Sequence, residues 1–178
     1  MATTQTSTRS TSRAKPKAGA RATRKTTRSQ SKPVDAIKLL SDDHKEVRAL
    51  FDAFDKTDDD ARKQQLANQI CHALTVHAQI EEEIFYPAAY EALDEDDLVD
   101  EAEVEHASAK QLIAEIEASQ VGEPLFDARV TVLGEYIKHH VEEEEKELFP
   151  ECKSAGMDLK ALGEQLAARK AELMAGQA

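Results

Sequence analysis

The chain has 178 residues and a formal charge of −12, a net value that conceals two unlike segments. Residues 1–33 hold nine of the 23 Lys/Arg and none of the 35 Asp/Glu, which leaves 14 bases against 35 acids, a net −21, in residues 34–178. No apolar run approaches the ~20 residues that cross a bilayer. The two cysteines, Cys71 and Cys152, lack metal-type spacing; their even count permits one disulfide, but they read as reduced thiols in a chain expected to be cytoplasmic.

The first 33 residues contain no Leu, Ile, Val or aromatic residue. They cannot bury enough apolar surface to offset chain entropy, so a disordered basic tail is expected there. Clustered positive charge suffices for weak, sequence-independent contact with nucleic acid through residues 1–33, by counterion release. No aromatic residue is interleaved to stack on bases.

From Pro33–Val34, a suitable helix start, apolar residues follow a helical period. The first stripe is Leu40, His44, Val47, Phe51, Phe54. After the link "KTDDDARKQ" comes Leu66, Ile70, Leu74, His77, Glu81, Ile84. After "YEALDEDDL" comes Leu98, Ala102, His106, Ala109, Ile113, Ile116. After "SQVGEPLF" comes Phe126, Val130, Leu133, Ile137, His140, Glu144, Leu148. A shorter amphipathic helix follows at about 158–174. Strand signals are absent, so the expected fold is all-α: an up-down-up-down four-helix bundle over residues 34–155, with a C-terminal helix in 156–178.

Each stripe carries a histidine where an aliphatic residue belongs, and two carry a glutamate one turn later. His77 and Glu81 are four apart, as are His140 and Glu144. That spacing separates them by about 40° around a helix, so both can reach one point in the core. Glu82, Glu83, Glu142, Glu143 and Glu145 then fall on the solvated face or its flank. His72 and His139 are expected at the surface and Cys71 in helix packing. Nothing in the pattern places Tyr86, Tyr90 or Tyr136.

The pattern also occurs twice. "HAQIEEEIFYP" (77–87) aligns with "HVEEEEKELFP" (140–150), and "DHKEVRALF" (43–51) with "EHASAKQLI" (105–113). Two helix hairpins thus contribute His, then His-x3-Glu, in a pseudo-twofold arrangement. Burying two carboxylates costs several kcal/mol per ion without compensation, and neutral imidazoles cannot supply it. A cation can. Two carboxylates among four imidazoles suit a pair of octahedral ions such as iron or manganese, with each carboxylate bridging and one position per ion open. The Glu-x-x-His motif of ferritin-like di-iron bundles is absent.

These residues, from about Leu39 to Pro150, resemble the hemerythrin-like domains with the HHE cation-binding pattern, four-helix bundles around a non-haem di-iron centre. The resemblance implies that His44, His77, Glu81, His106, His140 and Glu144 are the ligands of two iron ions, with Glu81 and Glu144 bridging. Oxygen-carrying hemerythrins use a fifth histidine, where this chain has Ala102, and an Asp one residue beyond the position of Glu144. One histidine fewer makes for a more symmetric and more open site. That departure favours reaction with peroxide or NO, or iron or redox sensing, over reversible O2 carriage. Three functions are expected in consequence: a sensor or carrier that binds small ligands, a peroxide-decomposing enzyme, or an iron protein recruited to nucleic acid by its tail.

Overall fold

The computed structural model describes residues 1–4 and 35–176. The expected tail, residues 1–33, lies outside the described residues beyond its first four. The chain divides into two units, Met1–Gln30 and Ser31–Ala178, and every described helix belongs to the second. Its segments are α1 (Ala36–Asp55), α2 (Asp60–Ile80), π1 (Glu81–Phe85), α3 (Tyr86–Ala92), α4 (Asp97–Glu117), α5 (Phe126–Glu143), π2 (Glu144–Leu148), α6 (Phe149–Ser154) and α7 (Leu159–Ala175). Helical backbone runs unbroken through α2–π1–α3 and through α5–π2–α6, so these nine segments make five rods. No strand occurs among the described residues, and none of their helices is long and apolar enough to cross a membrane.

Aspartates begin three of the rods. The Asp35 carboxylate accepts a hydrogen bond from the Lys38 N–H at 3.1 Å, so α1 starts two to three residues after the expected Pro33–Val34. Asp59 does the same for Arg62 at 2.7 Å, and Asp158 for Ala161 at 3.0 Å. Such caps satisfy N–H groups that a helix start leaves free, typically for ~1 kcal/mol each. The cap at Asp59 draws "ARKQ", expected in the first link, into α2.

The apolar stripes form two clusters. One contains Val47 and Phe54 of α1, Leu66 and Leu74 of α2, Ile113 of α4 and Ile137 of α5. The other contains Ala36 and Leu40 of α1, Ile80, Val99 of α4, Leu148 and Leu166 of α7. Helices α1 and α4 therefore run from the second cluster to the first, and α2 and α5 run back, which is the up-down-up-down order. Gly134 lets α5 approach α1 closely: a Cβ there would stand 3.1 Å from the Phe51 ring. Helix α7, with 17 residues nearly as long as the 18 of α5, packs on α1, α2 and π1.

The two π-helical turns were not expected. Each starts on the glutamate of a His-x3-Glu pair, and each closes with a bond from the residue five positions on: Tyr86 N–H to the Glu81 carbonyl, Phe149 N–H to that of Glu144. A proline comes immediately after in both cases, Pro87 and Pro150. Proline lacks an N–H, and in a regular helix its ring strikes the carbonyl four residues back. A wider turn moves that carbonyl aside. The extra residue also shifts the stripe: Ile84, expected in the core, is half-buried, and Phe85 and Tyr86 are fully buried instead.

Candidate metal centre

Seven polar or charged side chains are buried among the described residues: Ser119 and the six singled out by spacing, His44, His77, Glu81, His106, His140 and Glu144. Each lies where its rod passes between the two apolar clusters, so the six form a polar layer across the bundle. His44 Nε2 stands 3.0 Å from His77 Nε2, and His106 Nε2 3.2 Å from His140 Nε2. Glu81 Oε2 is 3.2 Å from His77 Nε2 and 3.5 Å from His106 Nε2. Glu144 Oε2 is 3.3 Å from His44 Nε2 and 3.5 Å from His140 Nε2. Each glutamate thus lies between a histidine of one hairpin and a histidine of the other.

The outward Nδ1 atom of every one of these histidines faces a further carboxylate. Glu145 is 3.0 Å from His44, Glu82 is 2.9 Å from His106, and Glu105 is 2.8 Å from His140. Asp43 stands 3.5 Å from His77 Nδ1. The arrangement keeps the pseudo-twofold: the acid before His44 and the acid before His106 serve the other histidine of their own hairpin. The acids after Glu81 and Glu144 serve histidines across the bundle. Glu82 and Glu145, expected on the solvated face or its flank, stand half-buried on the flank, where each meets a histidine of another helix. A carboxylate that accepts a hydrogen bond from Nδ1–H fixes the tautomer whose Nε2 lone pair points inward and makes that nitrogen a better donor. The repeated "DH" and "EH" pairs were the available signal for two of these four.

Burial and close neighbours shift the titrating groups of the layer in opposite directions. Burial and the neighbouring Glu144 raise the Glu81 carboxyl well above its usual value. Burial would raise Glu144 too, but His140 and His44 beside it hold it at about 2. Burial would lower His140, yet Glu144 and Glu105 keep it above the ordinary histidine value, while burial and His140 press His106 down to about 4. Both oxygens of Glu81 and Oε2 of Glu144 are buried without a hydrogen-bond partner. Orphaned carboxylate oxygens facing converging imidazole lone pairs have one compensation of the right sign, a cation. Donors bonded to one ion at about 2.1 Å and at right angles stand about 3.0 Å apart, the separation seen here. Two groups bring their donor atoms within 4.8 Å of one another: His44, His77, Glu81 and Glu144, and Glu81, His106 and His140.

One residue breaks the symmetry. Tyr86 is fully buried, and its hydroxyl donates to Glu144 Oε1 at 3.0 Å and lies 3.3 Å from His106 Nε2. Burial and the two glutamates raise its phenol well above the usual value, so it keeps its proton. Its counterpart in the repeat is Phe149, whose ring stacks on His44 at 5.9 Å. Ala102, by contrast, is packed in the apolar cluster. The four histidines stand two to each half, and a phenol enters the His106/His140 half alone.

The remaining candidates separate cleanly. The His139 side chain is 64% exposed, 3.3 Å from Glu143, and His72 is half-buried rather than at the surface. Tyr90 bonds Asp100 on the outside at 2.7 Å. Cys71 packs in the first cluster, where burial pushes its thiol up to about 12. Against the four histidines lies a cavity of about 20 Å³ walled by Val47, Leu74, Ile113 and Val141, enough for about one water-sized molecule. It shares His106, Ala109, Ile137 and His140 with a cleft of about 210 Å³ between α4 and α5, whose outer lining includes Val104, Tyr136 and His139.

Comparisons with known proteins agree with this picture. Residues 35–152 match the family described as the hemerythrin HHE cation binding domain. The crystal structure of a hemerythrin HHE cation binding domain-containing protein from Mycobacterium kansasii superposes with a TM-score of 0.69 at 22% identity, covering 80% of this chain and 89% of that one, a likeness of fold. A Nostoc protein named DNA nickase is 34% identical over 115 residues, 65% of this chain. The matched part spans 32% of that relative's length.

Proposed function

The chain belongs to the hemerythrin HHE cation-binding domain family, and we propose that it holds two iron ions and binds or reacts with O2, peroxide or NO at their open positions. The supporting observation is the placement of the two buried glutamates. Glu81 Oε2 is within 3.5 Å of histidines of both hairpins, and so is Glu144 Oε2. A carboxylate so placed would offer a donor to both histidine pairs. In this reading His44 and His77 would hold one ion, His106 and His140 the other, and Glu81 and Glu144 would be shared by the two.

Bound there, iron supplies redox and Lewis-acid chemistry that no side chain of the layer possesses. The chain's own residues do the rest. Glu145, Asp43, Glu82 and Glu105 fix the four rings, so little reorganisation accompanies binding. The Tyr86 hydroxyl keeps a proton at Glu144 Oε1, in the half of the site that adjoins the α4–α5 cleft. Apolar walls at Val47, Leu74 and Ile113 exclude bulk water and admit small, weakly polar ligands. Among the described residues no further catalytic group faces the layer, so the side chains there favour neither turnover nor sensing over the other.

Iron analysis after iron-replete expression should give about two ions per chain, and one zinc with no iron would overturn the reading. Repeated oxygen evolution on addition of peroxide, lost in His106→Ala, assigns a peroxide-decomposing enzyme. A single stoichiometric oxidation without turnover assigns a sensor or carrier.

A second reading, favoured by the likeness to the Nostoc DNA nickase, concerns nucleic acid. The nine positive charges of residues 1–33 would contact duplex DNA regardless of sequence, while the −21 of residues 34–178 repels it. Affinity should fall steeply with salt, log K changing by about −0.9 per phosphate neutralised for each decade of salt. Removing residues 1–33 should abolish binding in an electrophoretic shift assay and leave iron content unchanged. Binding that persisted would move the contact onto the helical unit.

A further inference from the structure

The carboxylates behind the four histidines are themselves held, and not all by the same means. Arg48 bonds Glu145 at 2.7 Å, and Lys110 bonds Glu82 at 2.6 Å. Both cations come from the bundle helices α1 and α4. Asp43 is bonded by Lys170 at 2.5 Å, and Lys170 comes from α7. Among the described residues, the repeat-related acid Glu105 has, besides His140, the exposed His139 beside it at 3.7 Å and no Lys or Arg. The C-terminal helix thus reaches the acid behind one histidine of one hairpin, and among the described residues the other hairpin has no counterpart of it.

Asp43 needs that partner. Its side chain is only 12% exposed, its Oδ2 is buried without a hydrogen bond, and its distance to His77 Nδ1 is the longest of the four. A buried carboxylate with a loose grip on its histidine is free to turn away from it unless its other oxygen is fixed. Lys170 fixes Oδ1 and leaves Oδ2 toward His77. Lys170 lies beyond residues 35–152, which match the family.

We infer that Lys170 is a positioning residue for the metal centre, and that docking of α7 sets the hold on the ion between His44 and His77 without touching the ion between His106 and His140. This rests on the metal-centre reading above. The mechanism is mechanical and electrostatic: the ammonium holds Asp43, Asp43 holds the His77 ring, and the ring presents Nε2. Arg169, the next residue, ties α7 to the exposed Glu83 instead, with Nε to Oε2 at 2.6 Å, and reaches no residue behind a histidine.

The test is an anaerobic Fe(II) titration of the full chain against a competing chelator, resolving two binding steps, with circular-dichroism melting of each metal-free protein. Wild-type binding of about two Fe(II) tests the metal-centre reading by itself, and the ratio between variants tests this one. Lys170→Met should weaken one step about tenfold, at the lower end of what loss of support behind a metal-bound histidine costs, and leave the other within twofold. Lys170→Arg, which keeps the charge, should restore it. Arg169→Met removes a comparable surface tie and should change neither step. Lys110→Met, acting through Glu82 and His106, should weaken the opposite step, which spectra of the half-loaded protein would distinguish. Unaltered binding in Lys170→Met overturns the assignment. So does equal weakening of both steps, or the same loss in Arg169→Met, because a general loosening of α7 would then be the cause.

Discussion

Glu144→Ala is expected to cut metal content to less than about a tenth of wild type at both positions, while Glu142→Ala, two residues away, leaves it unchanged. Glu144 is buried between His44 and His140, and its loss removes a donor from both halves of the layer. Glu142 is half-exposed and bonds Lys146 one turn on, at 3.1 Å. A third variant grades the series. Glu145→Ala strips the carboxylate behind His44 and should weaken metal binding by about 10–100-fold, the usual cost of losing such support. Elemental analysis of the three proteins after identical expression and dialysis decides the matter. Equal losses in Glu144→Ala and Glu142→Ala would mean that the facing of this run is misread.

Removing the metal should have the other large effect, on stability. Ligand that binds only the folded state, free at about 100 times its Kd, adds about 2.7 kcal/mol. At about 2–4 °C per kcal/mol for a chain of this size, chelation should lower the melting temperature by roughly 5–11 °C. The metal-free protein retains two buried carboxylates with orphaned oxygens. Glu81→Met should therefore invert the usual order. Burial holds the Glu81 carboxyl well above its usual value and neither of its oxygens has a hydrogen-bond partner, so an apolar side chain there removes a polar group left without compensation, and the metal-free variant should melt at or above metal-free wild type. It should gain nothing when iron is added. Identical melting of wild type with and without iron, measured by calorimetry, would remove the basis for a structural metal.

The number of rods, their order and the six residues of the polar layer were legible in the chain alone. A histidine on an apolar stripe violates the local pattern, and burial enforces that pattern on every helix. Four such violations at matched spacing, two with a glutamate four residues on, single out the six residues that the fold then buries together. The role of their neighbours was not legible there. Glu82 and Glu145 sit about 100° around the helix from Glu81 and Glu144, which on a single helix is the flank. Only the approach of α4 to π1 and of α1 to π2 turns that flank toward His106 and His44.

The same limit explains the rest. A helical period carries no information about where it will be broken, and the π turns arise from Pro87 and Pro150 meeting carbonyls one turn back. Their visible trace was a proline ten residues after each histidine. That extra residue carries Tyr86 into the layer, whereas the single hydroxyl that distinguishes it from Phe149 is a difference the aligned repeats already display. Lys170 was beyond reach altogether, 127 residues from Asp43 along the chain. Periodicity decides which face of each helix leaves water, because that is a property of one helix. Which charged residues meet behind that face is settled by the packing of several helices against one another, and no local pattern encodes it.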